Sequence, residues 1–153
     1  MEKISSSQTF FMKRVFPAIW FSFLGIFVAT AIKAGDWRAS AVFIIQPLVM
    51  AVIGYFMFRH LLWGLADEVR DAGTHLVVRK GDVEERIALA SVINVDSSRY
   101  ANPRRITLRL RQPGKLGDEV VFIPRGSFQF NPFARNPVAE ALIVRIDALR
   151  QKG

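Results

Sequence analysis

The sequence predicts an α+β membrane protein. A two-helix transmembrane hairpin comes first, then a small antiparallel β-sheet or partial barrel closed by a C-terminal amphipathic helix. Three observations predict it. Two uncharged apolar runs lie in tandem near the start. Beyond Thr74 the apolar pattern switches to a period of two. The last segment carries an N-cap signal followed by apolar residues at helical spacing.

The first run, Val15 to Ile32, has 18 residues, and the second, Ala39 to Phe58, has 20. A bilayer core of roughly 30 Å takes about 20 helical residues, so each run is long enough to span. As buried core helices of a soluble protein they would need a large apolar shell around them, which the residues that follow do not supply. A cleaved signal peptide is the other reading of the first run, with Lys13 and Arg14 before it and Ala29-Thr30-Ala31 near its end. Its length, and the second run directly behind it, count against that reading.

The link "KAGDWR", Lys33 to Arg38, allows only an antiparallel hairpin. Lys3, Lys13, Arg14, Arg59 and Arg70 flank the pair, against Lys33 and Arg38 in the link. This bias predicts an inner-membrane protein with both termini cytoplasmic. Trp37 and Trp63 fall where interfacial aromatics belong. For helix packing, Ala18, Ser22, Gly25 and Ala29 form a small-residue stripe on the first helix, and Pro47, Ala51 and Gly54 one on the second. The expected contacts are Ala18 with Gly54, Ser22 with Ala51 and Gly25 with Pro47. Gln46 is polar at mid-span, a position that suits a hydrogen bond inside the hairpin or a functional contact. The hairpin domain is set at 1–65.

"LLWGLADEVRD" reads as the second helix leaving the membrane and ending near Gly73, so residues 66–73 are expected to be a linker and 74–153 the cytoplasmic domain. There, "THLVVRK" and "DVEERIAL" flank "KGD" as a hairpin. "SVINVDSS", "RRITLRLR" and "EVVFIP" supply three more strands, spaced and punctuated like a meander. In "RRITLRLR", Ile106, Leu108 and Leu110 point one way, while Arg105, Arg109 and Arg111 point the other. Asn136 is a good N-cap, Pro137 suits the first helical position, and Glu140 completes a capping-box-like arrangement. The helix should run over about 137–150 with Val138, Leu142, Ile146 and Leu149 on one face. Burying those four contributes about 6–10 kcal/mol before entropy.

Composition narrows the function classes. There is no cysteine, which excludes disulfides and thiolate chemistry. The formal charge is +8, but residues 66–153 hold fifteen Lys/Arg against eleven Asp/Glu, a mild excess for a nucleic-acid binder. No nucleotide, hydrolase or metalloprotease motif is present. His60 reads as a headgroup-level residue and His75 as a strand end. Asp82, Glu84 and Glu85 read as a solvated turn beside Arg79, Lys80 and Arg86. No catalytic, cofactor-binding or metal-binding set can be assembled, so an enzyme is not expected, and no cofactor is.

The run "HLVVRKGDVEERIALASVINV", His75 to Val95, has a strand, a tight turn, and a second strand entering an "IALASVINV" pattern. Together with the preceding hairpin it resembles the bacterial PH-domain-like membrane proteins. These place a membrane hairpin before a small β domain of pleckstrin-homology type closed by a C-terminal helix. The resemblance implies a PH-like domain at the bacterial inner membrane, and a docking role more than an activity. Five strands are predicted, with Ser127–Phe130 a candidate sixth, where such domains have seven.

Two patches are the candidate contacts. Arg105, Arg109 and Arg111 suit anionic lipid headgroups or an acidic partner, or else a wet strand face paired with Glu84, Glu85 or Glu119. Phe128, Phe130 and Phe133, flanked by Arg125 and Arg135, suit an aromatic anchor, or else pin their loop under the last helix. The partners expected are membrane lipids and a protein in the membrane or at its cytoplasmic face, with no nucleic acid. The reading is a non-catalytic membrane protein that docks proteins or lipid headgroups. The alternative is an accessory or assembly subunit of a larger membrane complex.

Overall fold

The computed structural model describes residues 1–35, 37–101, 103–126, 131 and 133–152, with the backbone alone described at 37–40. The chain forms two compact units. Met1–Thr9 and Leu65–Gly153 make one, and Phe10–Gly64 the other.

In the first unit the described residues form seven strands: β1 Glu2–Lys3, β2 Glu68–Asp71, β3 His75–Lys80, β4 Val83–Ala88, β5 Val92–Ser97, β6 Ile106–Gly114 and β7 Gly117–Phe122. They make two antiparallel sheets, ordered β1-β2-β3-β4 and β5-β6-β7. The β3–β4 hairpin turns through Gly81 at φ +61°, a conformation that side-chain-bearing residues avoid. In β6 the period of two holds as expected. Ile106, Leu108 and Leu110 are buried, and Arg109 and Arg111 are exposed.

Two strands were not expected. Residues 66–73, predicted as a linker after a helical extension, contain β2, whose Val69 is fully buried. The second strand is β1, which hydrogen-bonds to β2 in the register Lys3 to Arg70. The segment after β1 then crosses to the other sheet. Ile4 N–H donates to the Val69 carbonyl (3.0 Å), and Ser6 N–H to that of Ile123 (2.8 Å). Arg125 N–H donates to the Ile4 carbonyl (2.9 Å), and Ala66 N–H to that of Val121 (2.7 Å). The two sheets are joined at that edge by single bridges, Ser5 to Pro124 and Leu65 to Val121, and among the described residues they do not form one closed barrel. The candidate sixth strand, 127–130, lies outside the described residues.

Helix α4, Pro137–Lys152, closes this unit. The Asn136 side-chain oxygen accepts from the N–H groups of Val138 (2.9 Å) and Ala139 (3.4 Å), which is the N-cap the sequence predicts. Ala139, Leu142 and Ile146 are buried against the sheets, with Val138 and Leu149 packed at the margin. Near the end of α4, Arg150 donates to the carbonyls of Val92 (3.0 Å) and Ile93 (2.5 Å). Those carbonyls lie where a bulge interrupts the β5–β6 ladder, so Arg150 satisfies backbone groups at the irregularity.

The second unit is an antiparallel helical pair. A continuous helical path, Gln8–Lys33, comprises a short α1 (Gln8–Phe10), a π-helical stretch Phe11–Val15, and α2 (Phe16–Lys33). The wide turn sits just ahead of Pro17, which has no N–H to give. Phe16 N–H reaches back to Phe11 instead. α3 spans Trp37–Leu62 and contains Pro47. Both helices are long and apolar enough to cross a membrane, with mean hydropathy 2.1 and 2.2. Only 6% and 17% of their apolar windows is buried within the chain, whereas a core helix of a soluble protein hides most of its surface.

Candidate functional site

The arginine run divides into three environments. Arg109 and Arg111 stand on the wet face of β6. Arg109 lies in register between Asn94 of β5 and Glu119 of β7, so a carboxylate sits directly across from it. The outer face of this sheet is therefore mixed in charge, not a cationic row. Arg105 precedes β6 and is half-buried. Arg104 is 5% exposed, and its guanidinium donates to the backbone carbonyls of Asn131 (2.7 Å) and Ala134. It thereby ties the β5–β6 loop to the segment leading into α4. The sequence carried a signal for this. Arg104 has the parity of Ile106, Leu108 and Leu110, so the same alternation that turns those inward turns Arg104 inward.

Of the three candidate anchor residues, Phe128 and Phe130 lie outside the described residues. Phe133 is 90% exposed, with its N–H held by the Asn131 side-chain oxygen (3.0 Å), so it does not pin the loop under the helix. A residue not singled out in the sequence, Tyr100, is 97% exposed on the β5–β6 loop. That loop is shaped by Ser98, whose N–H donates to the Arg105 carbonyl and whose hydroxyl accepts from Ala101 N–H. Through Arg104, the loops bearing Tyr100 and Phe133 are fastened to each other. Nearby, Arg135 pairs with Glu140 at 3.3 Å.

Several other charges of this unit do structural work. Arg145 of α4 grips Asp71 of β2 with both terminal nitrogens, one contact being 3.0 Å, and Asp71 also accepts from Gly73 N–H at 2.8 Å. The Arg145 hydrogen bond, ahead of the Gly73 N–H, holds the Asp71 carboxyl below its ordinary range. The same bond raises Arg145. Glu68 is lowered too, chiefly by its hydrogen bond to Arg70 and then by the charges of Lys3 and Arg79. A carboxylate depressed on folding stabilises above its unfolded pKa of about 4 and loses that contribution as pH falls through the lower folded value. Stability of this unit should therefore drop below about pH 4. Asp71→Asn should flatten that acid slope, read as urea midpoints of the detergent-solubilised chain at pH 7 and pH 3.

Glu85, expected in a solvated acidic turn, accepts from the N–H groups of Lys115 (3.0 Å) and Leu116 (2.9 Å), so it clamps the β6–β7 turn to β4. Glu84 lies opposite Arg79 in the β3–β4 ladder.

In the helical pair the two small-residue stripes behave differently. Pro47 and Gly54 are buried and Ala51 is half-buried, as packing residues should be. Ala18, Ser22, Gly25 and Ala29 are all exposed, and a side chain built on Gly25 would meet nothing within 4 Å. The expected small-to-small pairing does not form. α2 turns its larger residues, Trp20 and Leu24, toward α3, and the Trp20 indole nitrogen lies 2.8 Å from where a Gly54 Cβ would stand. A large side chain over a small one buries more contact than two small stripes facing each other. Gly54→Leu should therefore expel the indole and loosen the pair. The check is loss of the near-UV dichroism of Trp20 in a chain carrying Trp37→Phe and Trp63→Phe. Gln46 is exposed. At the end of α3, Arg59 donates to the Tyr55 hydroxyl (3.1 Å) and lies 5.6 Å from the Trp63 ring centroid, a grouping suited to a membrane–water interface.

No known protein family, no characterised protein and no solved structure matches the chain.

Proposed function

We propose that the chain is a non-catalytic protein of the bacterial inner membrane. Its helical pair anchors a PH-like cytoplasmic domain that docks proteins or anionic lipid headgroups. One observation carries the reading. The helical unit leaves most of its apolar residues exposed, while the other unit has a buried core of its own. Lipid around the helices and water around the other unit make the two arrangements favourable together. Seven strands in two antiparallel sheets with a C-terminal helix support the resemblance to the PH-like membrane proteins.

A second reading, an accessory or assembly subunit of a larger membrane complex, is favoured by the outward-facing stripe Ala18, Ser22, Gly25 and Ala29 on α2. Small residues on a lipid-facing helix allow another helix to approach closely. Photo-crosslinkers at Ser22 and at Phe133 in intact membranes separate the two. Protein adducts through Ser22 alone favour the subunit reading, and adducts at Phe133 favour the docking domain. Orientation is tested by Ala34→Cys, which should react with an impermeant thiol reagent added outside the cell. Protection there would reverse the topology.

A further inference from the structure

The net positive charge of residues 66–153 has one source. Segments 98–105 and 123–136 contain Arg99, Arg104, Arg105, Arg125 and Arg135 and no Asp, Glu or Lys. The rest of 66–153 holds ten Lys/Arg against its eleven Asp/Glu, so without these two segments the domain has no positive excess.

The described residues of the two segments meet at one end of the β unit. Ile106 pairs with Ser97 on one side and with Phe122 on the other, so β5 ends, β6 begins and β7 ends at the same level. Arg104 then bonds the 131–134 backbone from the β5–β6 loop. At the far end of β6 lies the turn clamped by Glu85, next to Asp118 and Glu119. That far turn also holds Lys115 and is mixed in charge, so the positive excess lies at the loop end. The unit's basic end carries Tyr100 and Phe133 almost fully exposed, together with exposed Arg99 and Arg125, and with Arg135 in its exposed pair with Glu140.

We infer that this end is a docking surface for an anionic lipid bilayer, with Tyr100 and Phe133 entering the headgroup region and the arginines meeting lipid phosphates. The inference rests on the membrane-anchored reading and deepens it by moving the lipid contact from the face of β6 to the loop end. Two features single out lipid as the occupant. Aromatic rings beside arginines at loop tips match the layered chemistry of the interface, apolar below and anionic above. The segments are free of the carboxylates that an anionic surface would repel. Arg104 acts as a positioning residue that keeps the two loops together.

The chain has no cysteine, so single substitutions carry a polarity-sensitive fluorophore cleanly. The full chain is reconstituted in nanodiscs of phosphatidylcholine alone or mixed with phosphatidylglycerol, each with a nitroxide-labelled lipid. Probes sit at Tyr100→Cys, Phe133→Cys, Asp82→Cys and Leu48→Cys, so each loop probe leaves the other aromatic in place. The expected result is quenching and a blue shift at positions 100 and 133 in the anionic discs. Both effects should be absent in phosphatidylcholine, reversed by salt, and lost in the Arg99→Ser/Arg125→Ser/Arg135→Ser chain. Position 82 should stay aqueous throughout. Quenching at Leu48 with aqueous probes at 100 and 133 would overturn the docking surface while the anchor stands, and would leave an acidic protein as the occupant. An unquenched probe at Leu48 would remove the anchored reading, and this inference with it.

Discussion

Excising residues 10–64 and joining Thr9 to Leu65 through about six Gly/Ser residues should yield a soluble β unit that melts cooperatively, whereas the same chain begun at Leu65 should not fold. The helical pair is an insertion between β1 and β2 of one domain. Its two ends are close. Ser6 and Ala66 bond carbonyls two residues apart at the end of β7, a separation of about 7 Å. Residues 1–9 are part of the domain's structure. Ile4 is buried in the core, the Ser5 hydroxyl accepts from Val69 N–H (2.9 Å), and the segment's backbone joins the two sheets. Losing Ile4 costs about 2–4 kcal/mol, and each backbone hydrogen bond lost adds about 1. Together these approach the whole stability of a small domain, about 5–15 kcal/mol. Far-UV melts of the two chains decide it. A fragment starting at Leu65 that melts at the same temperature as the joined chain would show that β1 is dispensable.

Leu142→Asp should abolish the folded β unit. Leu142 is 1% exposed and stands at the centre of the face α4 turns to the sheets. Truncating a buried leucine costs about 2–5 kcal/mol, and an unpaired buried carboxylate adds several more or must take up a proton. Leu142→Met keeps the volume and should cost less than about 1.5 kcal/mol. Backbone amide exchange of the detergent-solubilised chain is the check. Protection in β3 and β6 should disappear in the aspartate variant and persist in the methionine one. Retained protection with aspartate would mean that α4 does not close the core.

What the sequence revealed depended on the range of the interaction. The apolar runs, the alternation in β6 and the capped α4 are local patterns, and each stands where the residues place it. β1 has two residues, too few for any period, and its partner β2 lies over sixty positions away. β2 was hidden for another reason. Only Trp63 and Gly64 separate "LADEVRD" from the second helix, and its residues suit a helix well. The decision belongs to Val69, which is fully buried only when β2 pairs with β3. The small-residue stripes say that helices can approach but not which face does so, and the bulk of Trp20 over Gly54 chose it. Among the site residues, the outward direction of Arg109 and Arg111 was legible. The inward turn of Arg104 was present in the same alternation but masked by the run of like residues around it. Tyr100 had no pattern to mark it, because a loop tip has no period.

The central claim is that residues 10–64 lie in lipid beside a domain folded in water. Alkaline carbonate washing of membranes from cells making the full chain, followed by sedimentation, tests it most directly. The full chain is expected in the pellet and the chain with 10–64 excised in the supernatant. A full chain released to the supernatant and monodisperse without detergent would contradict it.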